Sequence, residues 1–170
     1  IEDSERPTTV KIRYMVENQK LFRVSRLSDH RLSTVAHKQF VEYLEHAASA
    51  VDGIIVNDFV YGVIGKLQLD AITRMAEKYQ IPLFGDVQCS SQIGSILKFT
   101  NFTLLCPNER EARVSLRNQE DGVESIANSL IDQTNVDNLI ISMGSEGFIA
   151  YERRSSNDQA RQNFPALTVN

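Results

Sequence analysis

The stretch "GIIVNDFVYGVIGKLQLDAITRMAEKYQIPLFGD" (residues 53–86) decides the fold. It opens on a continuous apolar run, "GIIVND" (53–58), of the kind that forms a strand buried on both faces. The period then becomes helical over "LQLDAITRMAEKY" (67–79), and "IPLFGD" (81–86) is a second buried run. Two strands joined through a helix run parallel, because antiparallel neighbours need only a tight turn and parallel ones need a crossover.

The same alternation continues outward. "FTLLC" (102–106) reads as a third strand, "NLIISMG" (138–144) as a fourth and "GFIAYE" (147–152) as a fifth close behind it. "REARVSL" and "GVESIANSLIDQT" between them read as helices. Upstream, "STVAHKQFVEYLEHAASA" places Val35, Phe40, Val41, Leu44 and Ala48 near one helical face, with Ser33 or Thr34 as its cap. The expectation is an α/β fold with a mostly parallel sheet covered by helices. "RRSSNDQARQN" (153–163) is polar and is expected to be a mobile loop, and "FPALTV" to begin one more strand.

Before residue 30 the organisation differs. In "TTVKIRYMVENQKLFRVSR" (8–26), Val10, Ile12, Tyr14 and Val16 alternate with Lys11, Arg13 and Met15. Glu17-Asn18-Gln19 offers a turn, and Leu21, Phe22 and Val24 follow, so two strands joined by a short loop are predicted. Lys11, Arg13, Lys20 and Arg23 make this sheet basic. Either that face is simply solvated or it covers an anionic ligand.

Composition sets the outer bounds. The 170 residues have the length of one domain; 42% are hydrophobic and 24% charged, and the net charge is −4. With no long basic run, neither nucleic acid nor an anionic membrane surface is an expected partner. No apolar stretch approaches the roughly 20 residues of a membrane span, and the acidic start "IEDSERPTTV" is not a signal peptide. The two cysteines, Cys89 and Cys106, have neither zinc-site spacing nor a disulfide framework, so a reducing cytoplasm is the expected location.

Polar residues gather at the strand ends. Asn57 and Asp58 end the first core strand and Asp86 the second; Asn108 and Glu111 follow the third within "LLCPNEREA" (104–112). Ser142, Gly144 and Gly147 follow the fourth. Each has an ordinary explanation alone: a cap for Asp86, a hairpin turn for Ser142 and Gly144, support of a positive helix end for Glu111. Together they line the place where open α/β sheets bind ligands, beyond the carboxyl ends of the strands.

In order and spacing these segments resemble the ribokinase-like (PfkB) carbohydrate kinases, closest to the kinases of D-glycero-D-manno-heptose 7-phosphate in ADP-heptose synthesis. "TTVKIRYMVENQKLFRVS" is similar to that group's lid strands, and "GIIVNDFVYGVI" to its strand end with an acidic, glycine-containing turn. "IPLFGDVQ" resembles the strand ending in Asp-Pro-Lys, "LLCPNEREA" the Asn-x-x-Glu motif, and "ISMGSEG" the nucleotide loop. The likeness runs from Pro7 to Val169.

The resemblance implies a ribokinase-like three-layer sandwich, present here in part, with a small β lid hairpin. Residues 1–170 would be an incomplete kinase domain: lid strands at 8–24, and an α/β core at 33–170 lacking its N-terminal part and its C-terminal catalytic segment. ATP and Mg²⁺ would be the cofactors, with a sugar or sugar phosphate, heptose 7-phosphate-like, as substrate. Asp86, Asn108, Ser142, Gly144 and Gly147 would bind nucleotide, and Asn108 with Glu111 would hold Mg²⁺ through water. Lys11, Arg13, Arg23 and Asp58 would bind the sugar phosphate, the guanidinium groups by bidentate contacts. No catalytic residue is assigned, because the family's general-base aspartate, in Gly-Ala-Gly-Asp, is expected beyond Asn170. Lid strands in this family also pair two subunits, so a homodimer through residues 8–24 is expected.

Two departures stand out: Gln88 replaces the lysine after Asp86, and "NDFVYG" lacks the lysine that often precedes its glycine. They keep open a second class, a non-catalytic sugar- or nucleotide-binding module derived from such a kinase. An oxidoreductase is disfavoured, since no Gly-x-Gly-x-x-Gly follows any strand.

Overall fold

The computed structural model describes residues 1–89, 94–153 and 159–167. Two strands come first, β1 (Val10–Val16) and β2 (Gln19–Arg26), followed by helix α1 (Thr34–Ala48). The core then runs β3 (Ile54–Asp58), α2 (Lys66–Tyr79), β4 (Leu83–Val87), β5 (Leu104–Leu105), α3 (Glu109–Leu116), α4 (Val123–Thr134), β6 (Asn138–Ser142), β7 (Phe148–Arg153) and β8 (Gln159–Phe164). Strands β3 to β8 form one six-stranded sheet in sequence order. Pairing is parallel from β3 to β6 and antiparallel at β7 and β8.

Helices α2, α3 and α4 cover one face of this sheet. Val56, Val87, Leu105, Leu139 and Ile141 point into a single core with Ile72 of α2, Ala112 of α3, and Ile126 and Leu130 of α4. Phe99 and Phe102 stack within it with ring centroids 4.9 Å apart. The opposite face is open among the described residues: Ile55 is 78% exposed there. The apolar runs of β3 and β4 are those of strands meant for burial on both faces, and the layer described accounts for one of them.

Two expectations for the C-terminal part are corrected. Residues 159–163 are not loop: Gln159–Phe164 is an edge strand whose Tyr151↔Arg161 and Phe148↔Phe164 pairs align it with β7. Its polar composition is that of an edge strand, whose side chains meet water and whose charges discourage further pairing. The described part of "FPALTV" does not begin a new strand: Phe164 closes β8, stacked on Phe148 at 4.6 Å, and residues 165–167 have no regular structure. Residues 154–158 of the expected loop, and 168–170, lie outside the described residues. "FTLLC" contributes only Leu104–Leu105 to the ladder, because Phe102 is spent in the core.

The hairpin is as the alternation predicts, with Glu17-Asn18 as its turn. Its register places Ile12 opposite Val24, Tyr14 opposite Phe22 and Arg13 opposite Arg23. One face is therefore apolar, and the other carries Lys11, Arg13 and Arg23.

Candidate functional site at the strand ends

The carboxyl ends of β4, β5 and β6 converge on a cleft of about 350 Å³, lined by Asp86, Gln88, Cys89, Cys106, Asn108, Glu111 and Ser142. Parallel pairing sets this up: Phe84↔Leu104 and Leu104↔Asn138 bring the three strands level, and an isolated bridge places Asn108 beside Ser142. The Ser142 N–H donates to the Pro107 carbonyl at 3.1 Å, which fixes that edge.

Asn108 and Glu111 are locked to each other. The Asn108 Oδ1 accepts the Glu111 N–H at 2.8 Å, and Glu111 Oε2 accepts the Asn108 N–H at 3.0 Å, a reciprocal cap at the start of α3. Helix capping is thus a real role of "NERE". Glu111 does more, because its Oε1 also accepts the Cys89 N–H at 3.1 Å. One buried carboxylate joins the segment after β4 to the segment after β5. Each of its oxygens keeps a lone pair, enough to order a water.

Asp86 stands half-exposed on the rim, with Gln88 Nε2 3.5 Å from its Oδ2. Among the described residues none that lines the cleft carries a positive charge. Both thiols are held above their ordinary pKa by burial, and the carboxylates of Glu111, for Cys89, and Asp86, for Cys106, push the same way. Gly144 and Gly147 do not line the cleft; they shape the β6–β7 connection, a 3₁₀ turn (Gly144–Glu146) closed by Met143 N–H donating to Gly147 O at 2.8 Å.

Asp58 is placed elsewhere than expected for a substrate contact. Its side chain is 3% exposed, paired with the Lys98 ammonium, and its Oδ1 accepts the Val60 N–H at 2.9 Å. Lys98 also donates to the Ile64 carbonyl at 3.3 Å. The pair staples the β3–α2 loop to the 3₁₀ turn at Ile96–Lys98. Lys98, in a stretch with no motif, gave no sequence signal.

Lys11, Arg13 and Arg23 belong to the hairpin rather than to the cleft. The Lys11 ammonium lies 5.2 Å from the ring centroid of Phe59 and 5.1 Å from that of Tyr61, so the basic face turns toward the β3–α2 loop. The period of two places Lys11 and Arg13 on one side; the register adds Arg23, directly opposite Arg13.

Among the described residues no helix is long and apolar enough to cross a membrane. The family model for pfkB family carbohydrate kinases matches residues 1–170. The chain is 27% identical over 150 residues to the bifunctional protein HldE of Citrifermentans bemidjiense and 29% identical over 150 residues to that of Geotalea uraniireducens. Each alignment covers 86% of this chain and 30% of the relative, so the chain spans less than a third of the curated relatives' length. Among solved structures, ribokinase from Giardia lamblia superposes with a TM-score of 0.72 at 14% identity, covering 97% of this chain and 50% of that one. Phosphofructokinase-2 from Escherichia coli in complex with fructose-6-phosphate gives 0.57 at 15% identity, covering 94% and 52%.

Proposed function

The chain belongs to the pfkB family of carbohydrate kinases, and from that premise we propose that the protein transfers the terminal phosphoryl group of ATP to a hydroxyl of a phosphorylated sugar, heptose 7-phosphate-like. The sugar oxygen would bond to the γ-phosphorus as the bond to the ADP oxygen breaks, and the hydroxyl proton would pass to a base outside the residues assigned here. The observation that carries this reading is the convergence of Asp86, Asn108, Glu111 and Ser142 in one cleft at the carboxyl ends of parallel strands.

The cleft suits a hydrated cation. Among the described residues no group of three or more His, Cys, Asp or Glu can hold a metal directly. Mg²⁺ dehydrates reluctantly and keeps several waters, so Glu111 and Asn108 would hold it through water. Bound Mg²⁺ neutralises phosphate charge, the main demand of phosphoryl transfer. The chain's own contribution is positional. Glu111 fixes the cleft floor, Ser142 and the glycine-shaped turn at Gly144 and Gly147 would border the nucleotide, and Asp86 would orient the phosphates' cation. Arg13 and Arg23, with Lys11, would receive the sugar's phosphate. The cytoplasm is the proposed location, since it supplies ATP and keeps thiols such as Cys89 and Cys106 reduced.

Cys106 reports occupancy of the cleft without requiring turnover. In a Cys89→Ser variant of the 170-residue chain it is the sole thiol, and ATP with Mg²⁺ should slow its alkylation by N-ethylmaleimide, whereas fructose 6-phosphate alone should not. An alkylation rate indifferent to saturating ATP would remove the nucleotide from this cleft. Protection without sugar-dependent ADP formation in the parent protein would favour the binding-module reading, to which the neutral Gln88 lends some support.

The hairpin's other face is proposed to make a homodimer. Val10, Ile12, Tyr14, Phe22 and Val24 are 37–53% exposed on an isolated two-stranded sheet, with Tyr14 and Phe22 stacked at 4.4 Å. Such a sheet is marginal without a covering partner. Light scattering should find a dimer at micromolar concentration, and Val10→Asp with Ile12→Asp should give a folded monomer. A monomeric wild type refutes the interface.

A further inference from the structure

The hairpin meets the body of the protein at the β3–α2 loop, and that loop is constrained. Val60 has φ of 62°, a left-handed conformation that is strained for a β-branched residue and persists only where surroundings impose it. Two residues on, Gly62 has φ of 78°, and a Cβ there would lie 2.3 Å from the Asp29 carbonyl oxygen and 2.4 Å from that of His30. The segment leaving the hairpin therefore rests directly on the loop's backbone.

Arg6 closes this contact. Its guanidinium donates to the Ser28 carbonyl at 2.9 Å and to the carbonyls of His30 and Tyr61. Ser28 and His30 follow β2, Arg6 precedes β1, and Tyr61 belongs to the β3–α2 loop. One side chain thus gathers both ends of the hairpin and ties them to the body. Nearby, Asp3 Oδ2 accepts the Ser33 N–H at 3.0 Å, anchoring the same stretch at the start of α1.

We propose that Arg6 is a positioning residue that sets the pose of the hairpin over the strand ends, by tying the hairpin's two ends to the carbonyl of Tyr61. A guanidinium suits this task, because its planar fork reaches several carbonyls at once, where a lysine ammonium acts as a point charge. The pose matters under the kinase reading, on which this functional consequence rests. It holds the Lys11, Arg13 and Arg23 face turned toward the β3–α2 loop at the end of β3, where the sugar phosphate would be received.

Amide hydrogen exchange on the 170-residue chain tests the pose itself. In Arg6→Ala, amides of Val10–Val16, Gln19–Arg26 and residues 27–33 should exchange about tenfold faster or more, the effect of losing charge-assisted hydrogen bonds. Amides of β3 to β7 should keep their wild-type rates, and Arg6→Lys should restore protection only in part. Unchanged hairpin exchange overturns the proposal, as does a rise shared equally by the core, which would make Arg6 a general stabiliser. In the parent enzyme, Arg6→Ala should also raise KM for D-glycero-D-manno-heptose 7-phosphate about tenfold, with KM for ATP unchanged. If exchange responds as expected and that KM does not, the latch stands and the sugar-phosphate assignment falls.

Discussion

Glu111→Gln is expected to lose stability and magnesium-dependent turnover together. The carboxylate accepts N–H groups from two segments, Cys89 at 3.1 Å and Asn108 at 3.0 Å. Glutamine can satisfy one of them with its oxygen but presents an NH₂ group to the other. A buried donor left facing a donor costs about 1–3 kcal/mol. That exceeds the few tenths to about 1 kcal/mol expected if Glu111 only supported the helix dipole, so a melting shift alone does not separate capping from metal binding. Turnover measured on the folded fraction across a Mg²⁺ series does. A residue holding the ion's water shell typically contributes about 10–100-fold in metal affinity or activity. The half-saturating Mg²⁺ concentration should rise and kcat should fall in the variant. Unchanged Mg²⁺ dependence with a lowered melting temperature would reduce Glu111 to a strut between two strand ends.

That both roles fall on one side chain explains why "NERE" reads two ways. Capping chemistry and cation chemistry ask for the same residues at the same spacing, an amide at the helix start and a carboxylate three positions on. What sequence could not carry was the third contact, since Cys89 lies 22 residues upstream and approaches Glu111 only once β4 and β5 are paired. The fold was more legible. Five core strands and their helices follow from apolar runs punctuated by helical periods, and the hairpin from its period of two. Its register was not legible, because any pairing that keeps the apolar faces together satisfies the pattern, yet only the observed one sets Arg13 against Arg23. β8 was hidden for the opposite reason: Gln159–Asn163 has no apolar face, and its strand state comes from β7. Asp58 shows the limit most sharply. A continuous apolar run carries no parity, so "GIIVND" does not reveal which of Asn57 and Asp58 turns inward. In the structure Val56 and Asp58 share the buried side and Asn57 is exposed.

Asp58→Ala should therefore act first on the fold. The substitution leaves Lys98, itself 28% exposed, without its partner and removes the acceptor of the Val60 N–H, at a position where the backbone is already left-handed. Breaking a buried pair from one side costs about 3–5 kcal/mol, and the partial exposure of Lys98 argues for the lower end. At 2–4 °C per kcal/mol for a domain of this size, the melting temperature should fall by roughly 6–12 °C. Asp58→Asn should cost less, because its carbonyl can still accept from Val60. Removing both charges, as Asp58→Asn with Lys98→Met, should recover part of the loss, since no unpaired charge remains. A substrate contact behaves otherwise: Asp58→Asn would then raise KM for the sugar phosphate with little change in melting, and Lys98→Met would not rescue it. The double substitution is decisive, because only an ion pair that staples the β3–α2 loop to the Ile96–Lys98 turn makes the second change compensate the first.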